Sequence, residues 1–127
     1  MSKPTLSIII PAYNEEKRLP TTLTKVAEFV SAQSFPIEVV VVENGSSDRT
    51  WEIAKQFEER YKNFRILKEE QRGKGLAVRR GMLEALGEYR FMCDADLSMP
   101  LEEIARFLPP LLTDFDEIGR ASCRERV

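Results

Sequence analysis

Asp94 and Asp96 stand one residue apart in Phe91-Met92-Cys93-Asp94-Ala95-Asp96-Leu97-Ser98, directly after an apolar run of strand length. Two like charges at the end of a buried strand repel each other and lose hydration. A hard divalent cation between them, itself carrying phosphate oxygens, removes that penalty. The plainer alternative is that one Asp caps the following turn while the other is solvated. Three more polar clusters also follow apolar runs: Ala12-Tyr13-Asn14-Glu15-Glu16, Glu43-Asn44-Gly45-Ser46-Ser47-Asp48, and Glu69-Glu70-Gln71-Arg72-Gly73-Lys74-Gly75. In the first, Pro11, Tyr13, Asn14 and Glu15 could cradle a base or ribose, or simply form a strand-to-helix turn. In the second, Glu43 could accept a hydrogen bond from a base N–H while Gly45 permits a tight turn, or Glu43 is a solvated turn carboxylate. In the third, Arg72 and Lys74 sit with Gly73 and Gly75 at a helix start, where backbone amides and the helix dipole favour phosphate. The spacing is not GxxxxGK[ST], which excludes a P-loop. Arg79 and Arg80 extend the positive face, whereas Trp51, Met92 and Cys93 read as core residues.

Composition narrows the chemistry further. The chain has 127 residues, 19 Lys and Arg, 21 Asp and Glu, no His, and a net charge of -2. The absence of His removes Ser-His and Cys-His nucleophile systems and His-ligated metals, leaving carboxylates, Lys and Arg. Without a basic excess, nucleic acid is not an expected partner. Cys93 and Cys123 make neither a disulfide framework nor a metal cluster, which fits a reducing compartment. The longest apolar runs, Leu6 to Ile10 and Val39 to Val42, are strand-sized, and no signal-peptide pattern opens the chain, so a cytoplasmic location is expected. The length suits one core and one domain. Residues 117–127 lack apolar periodicity and resemble the translation of a short-read sequencing adapter. They are expected to be an artefact, with the domain proper confined to residues 1–116 and the natural chain continuing past Asp116.

The elements that must position these clusters alternate. Thr5 to Ile10, Ile37 to Val42, Phe64 to Lys68 and Tyr89 to Cys93 are predicted strands, the first ended by Pro11. Continuous β-branched runs indicate strands buried on both faces, hence a parallel sheet. Pro20 is predicted to open a helix with Leu23, Val26, Ala27 and Val30 on its inner face. Ser46 or Ser47 is predicted to cap a second helix bearing Ile53, Ala54, Phe57 and Tyr61, with Asp48 at its positive end. A third helix is expected from about Leu76 to Leu86, stopped by Gly87, and a last one from Pro100 through Ile104, Phe107 and Leu108 until Pro109-Pro110. Such an order predicts an α/β fold: a mostly parallel, Rossmann-like open sheet with right-handed crossovers and helices on both faces. Because every polar cluster follows a strand, all converge on the carboxyl rim, where such sheets bind ligands.

SIIIPAYNEE, VVVENGSSD, RGKGLAVRRG and DADLS, in this order, resemble the nucleotide-binding half of family 2 glycosyltransferases with a GT-A fold, over nearly all of residues 5–116. Within that family, the pairing of RGKG with DADLS and a nearby Pro is most similar to dolichyl-phosphate (polyprenyl-phosphate) β-glucosyltransferases, and next to dolichyl-phosphate mannosyltransferases. The resemblance implies an inverting transferase that uses a UDP-sugar donor, Mg2+ or Mn2+, and a polyprenyl-phosphate acceptor, with GDP-mannose as the alternative donor. It places Pro11, Tyr13, Glu15 and Glu43 on the nucleobase, Arg72 and Lys74 on the nucleotide-sugar, Asp94 on the nucleotide-sugar and metal, and Asp96 on the metal. Many relatives carry Asp-Asp-Gly where this chain has Glu43-Asn44-Gly45. The acceptor-side residues and any membrane contact belong to a half that this truncated sheet does not include. No catalytic residue is therefore assigned, and the chain by itself is expected to be an inactive, donor-binding piece of a protein peripheral at the membrane. A non-catalytic nucleotide-binding module is the competing class. An Asp-x-Asp phosphohydrolase is disfavoured, because its nucleophile would follow the first strand, which here ends in Pro-Ala-Tyr.

Overall fold

The computed structural model describes residues 4–96 together with Leu101 and Ile104. Strands β1 (Leu6–Ala12), β2 (Ile37–Glu43), β3 (Phe64–Lys68) and β4 (Tyr89–Met92) alternate with helices α1 (Leu19–Ala32), α2 (Thr50–Arg60) and α3 (Lys74–Glu84). Among the described residues the strands form one sheet in the order β3-β2-β1-β4. All three pairings are parallel. The order reverses beside β1, so the loops after β1 and β4 flank the place where a ligand crevice is expected. The central strands β1 and β2 are buried along their whole length, as continuous apolar runs in a parallel sheet require.

Alternate residues of each strand face opposite layers. On one face Ile8, Ile10, Val39, Val41 and Phe91 pack with Leu19, Leu23 and Val26 of α1 and Ala54 and Phe57 of α2. Leu101 and Ile104 join this layer, the described part of the last predicted helix. On the other face Ile9, Val40 and Val42 meet Ala77 of α3 and Ala85 just beyond it. Helices thus cover both faces, as expected. Gly81 lets α3 lie this close, since a Cβ there would fall 2.5 Å from Ile9 Cγ2.

Three boundaries differ from expectation. Pro11 does not end β1: the strand continues to Ala12, with Pro11 opposite Val42. Ile9 turns its carbonyl toward β4, accepting from the Cys93 N–H at 2.8 Å, and residue 11 faces the same way two positions on. The β1–β4 ladder ends at Ile9–Met92, so the missing Pro11 N–H costs no ladder bond. Neither Ser46 nor Ser47 caps α2, which starts at Thr50 without a side-chain cap from its flanking residue Arg49. Helix α3 runs two residues earlier than predicted at both ends. It stops at Glu84 because the next amides are claimed from outside: Glu38 Oε2 accepts from Leu86 N at 2.6 Å and Ser7 Oγ from Gly87 N at 2.8 Å. Gly87 serves close approach, as a Cβ would sit 2.7 Å from Ser7 N. Leu97, Ser98, the predicted helix residues Phe107 and Leu108, and 117–127 lie outside the described residues.

Candidate functional site

A cleft of about 470 Å³ opens at the carboxyl rim, within the size range of small-molecule sites. Seven of the eight residues that the resemblance places on the donor and metal line it: Pro11, Tyr13, Glu15, Arg72, Lys74, Asp94 and Asp96. Asn44, Gly73, Ala77 and Ala95 complete much of the wall. Glu43 is absent from this lining. Only 1% exposed, it accepts from the Ser46 amide through Oε2, and Oε1 has no hydrogen-bond partner among the described residues. Its Oε2 shapes the turn after β2.

The β1–α1 loop is tied to the β2–α2 loop. Asn14, with φ at 52°, accepts from Ser47 N at 2.9 Å through Oδ1, while its own amide donates to Ser46 Oγ at 2.9 Å. Asn14 staples the two loops together. Glu15 N donates to Thr50 Oγ1 at 2.8 Å, and Glu16 N to Asp48 Oδ2 at 3.2 Å. Burial acts to raise the Asp48 pKa, but hydrogen bonds from the Thr50 hydroxyl, the Thr50 amide and the Glu16 amide together hold it below the ordinary value of 3.8.

The opposite wall is charged. Lys74 Nζ lies 2.5 Å from Asp94 Oδ1, and Arg18 Nη1 lies 3.9 Å from Asp96 Oδ2. Arg72 donates to the Tyr13 hydroxyl and stacks over its ring at 4.4 Å, so Tyr13 and Arg72 bridge the cleft mouth. Arg79 and Arg80 do not extend this cationic lining. Arg80 instead donates to Lys68 O at 2.9 Å and lies near Glu69 and Glu84, while Arg79 is simply exposed. Cys93 is a core residue as expected, its thiol raised to about 11 by burial and by the charges of Asp94 and Asp96, so it is no nucleophile.

Among the described residues no group of three or more His, Cys, Asp or Glu could enclose a metal ion. Two carboxylates beside two cations placed for phosphate instead suit a hard cation that takes its remaining oxygens from a diphosphate. Three contributors escaped the sequence reading. Arg18 had a weak signal, a cation beside Glu15. Thr22, buried on α1, donates to the carbonyl of Ala95 at 2.5 Å, and Asn44 ties down the loop before α3; neither carries a local signature.

The comparisons bear on this geometry. The model of Glycosyl transferase family 2 matches residues 7–120. The chain belongs to that family. A dolichyl-phosphate beta-glucosyltransferase of Trichomonas vaginalis is 42% identical over 97 residues, covering 72% of this chain and 30% of the relative. A mannosyltransferase from Pyrobaculum calidifontis, solved with GDP-Man and Mn2+, superposes with a TM-score of 0.67 at 29% identity, over 83% of this chain and 31% of that one. S. aureus TarS in complex with UDP gives 0.65 at 30% identity, over 81% and 31%. The GT-A fold is thereby shown, and the chain spans about a third of the length of the curated relatives it matches. No helix among the described residues is long and apolar enough to cross a membrane.

Proposed function

We propose that this chain is the donor-binding part of a glycosyltransferase that passes glucose from a UDP-sugar to a polyprenyl or dolichyl phosphate. The observation that carries the reading is the single cleft in which Asp94 and Asp96 face Arg72 and Lys74 at the strand-order reversal. Tyr13 and Arg72 offer an aromatic face and a guanidinium to the nucleoside, and Lys74 and the N-terminus of α3 receive the diphosphate. Asp94 and Asp96 would hold Mg2+ or Mn2+, which when bound neutralises charge on the departing diphosphate. An acceptor phosphate oxygen is already anionic, so attack on the anomeric carbon requires no general base from this chain. The glucosyl and dolichyl-phosphate assignments draw on the Trichomonas relative. Transfer, a cytoplasmic location and peripheral membrane contact are proposed for the whole protein, and donor binding without transfer for this chain.

GDP-mannose is the second reading, favoured by the Pyrobaculum structure that holds GDP-Man and Mn2+. Calorimetric titration of UDP-glucose and GDP-mannose, each with and without Mn2+, decides between them. Metal-dependent UDP-glucose binding that is lost in Asp96→Ala is the expected result. A GDP-mannose preference selects the second reading, and binding indifferent to metal and to Asp96 rejects both.

A further inference from the structure

We propose that Asn44 is the positioning residue of the cationic wall, setting the path of residues 69–73 and hence the reach of Arg72 and Lys74 into the cleft; this rests on the nucleotide reading above. Asn44 is 4% exposed and uses its whole side-chain amide. Nδ2 donates to Glu69 O at 2.9 Å and to Gln71 O at 2.8 Å, and Oδ1 accepts from Gly73 N at 3.0 Å. Its backbone is fixed in turn, Asn44 N donating to Ala12 O at 2.9 Å at the end of β1. One side chain rooted in the central sheet thus grips an otherwise exposed loop at three points, immediately before Lys74 begins α3.

The chemistry demands an amide. Two loop carbonyls converge on one atom, which must be a double donor, while the neighbouring atom must accept. An aspartate has the same shape but accepts only, so Asn44→Asp opposes lone pairs to both carbonyls and drives the loop away while keeping the Gly73 bond. Ser, Thr or Ala cannot span all three points. Asn44 also borders the cleft, so loop position and cleft width change together.

The test is a double-mutant cycle on the full chain, with UDP and Mn2+ as the probe and calorimetric Kd as the readout. Asn44→Asp and Lys74→Ala are each expected to weaken UDP by about tenfold. In the Lys74→Ala background the further effect of Asn44→Asp is expected to shrink to about threefold or less, because the residue acts through the cation it places. If Asn44→Asp does not fold, Asn44→Ala enters the same cycle, since it releases all three loop groups without setting a charge against them. Wild-type affinity in either Asn44 variant, or an undiminished Asn44 effect without Lys74, overturns the positioning role while leaving the nucleotide reading intact. A wild-type chain that binds neither UDP nor GDP overturns both.

Discussion

On one side of the cleft, residues 13–18 and 44–50 are joined by hydrogen bonds that run between backbone amides and short side chains: Asn14 with Ser46 and Ser47, Glu15 with Thr50, Glu16 with Asp48. On the other side, Arg72, Lys74, Asp94 and Asp96 present charged side chains to the cleft, and the pair of Lys74 with Asp94 is 59% and 33% exposed. Short side chains on fixed backbone lose little entropy on ordering, and the fully buried Thr50 hydroxyl anchors the half-buried Glu15 amide, so the first wall carries stability. Exposed ion pairs contribute about 0–1 kcal/mol each and exchange partners at little cost. A ligand with its own negative charges and a cation can therefore replace the Lys74–Asp94 contact without disturbing the frame. The contrast separates what holds the site from what the site holds.

The largest expected effect breaks the first wall. Thr50 is fully buried, its hydroxyl donating to Asp48 Oδ1 at 2.5 Å while accepting from Glu15 N. Thr50→Val leaves the Glu15 amide without its acceptor and takes one of two hydrogen bonds from Asp48 Oδ1, which keeps the bond from the residue-50 amide at 2.9 Å; it is expected to cost about 1–3 kcal/mol, lowering the melting midpoint by several degrees, whereas Thr50→Ser restores most of it. A melting curve superimposable on wild type for Thr50→Val would show that the two loops need no staple.

The mirror-image substitution is Lys74→Ala on the second wall. Its stability is expected to stay within about 0.5 kcal/mol of wild type, because a mostly exposed pair is lost. Its UDP affinity is expected to fall by about tenfold, since a charge-assisted contact to phosphate goes with it. A Lys74→Ala variant that melts early yet binds UDP normally would reverse the assignment of the two walls.

Most of the frame was legible in the sequence because it rests on local rules. Continuous β-branched runs revealed β1 and β2 and shorter apolar runs β3 and β4, all to within two residues, while apolar periodicity revealed α1 and α2 and the Gly87 stop α3. The misplacements arose where a distant group intervened. Pro11 stays in β1 because β4 has already ended beside it, and α3 stops early because Glu38 and Ser7 take the Leu86 and Gly87 amides. Polar clusters after strands brought seven of the eight expected donor and metal residues to the cleft, since topology alone sends them to one rim. Asn44 and Thr22 were invisible as contributors for the converse reason. Asn44 meets Glu69 and Gln71 across 25 and 27 residues, and Thr22 meets Ala95 across 73, distances at which turn and capping rules have nothing to say. Glu43 lies outside the cleft lining because a strand-end carboxylate can turn back to its own loop, and its Oε2 accepts from the Ser46 amide.

A smaller effect sharpens the first wall through pH. The folded-state pKa of Asp48 lies below its ordinary value of 3.8, so the ionised carboxylate contributes stability above 3.8, and that contribution is lost as pH falls through the folded value. Asp48→Asn removes it at every pH. The stability difference between wild type and Asp48→Asn is expected to be constant from pH 7 to about pH 5 and to close below 3.8, as read by denaturant unfolding. Glu58, also lowered by its bond from Lys55, titrates in both proteins and cancels in the difference. A gap that persists unchanged into acid would mean that Asp48 acts by shape alone.

The smallest expected effect lies where the walls meet. Arg18 Nε donates to Glu15 Oε1 at 2.9 Å, and its Nη1 stands 3.9 Å from Asp96 Oδ2, so one exposed guanidinium touches a residue of each wall. At 60% exposure it adds little to stability, and Arg18→Gln is expected to melt like wild type. Its charge nevertheless competes for the carboxylate that would hold a cation. Charges a few ångströms apart in water interact by about 1 kcal/mol, part of which physiological salt screens. Replacing Arg18 with neutral Gln is therefore expected to tighten Mn2+ binding in the presence of UDP by about two- to fourfold at low salt, and by less as salt is raised. An Arg18→Gln variant that binds Mn2+ more weakly, at unchanged stability, would make Arg18 a direct ligand of the diphosphate rather than a rival of the metal. It would then belong with Arg72 and Lys74 on the charged wall.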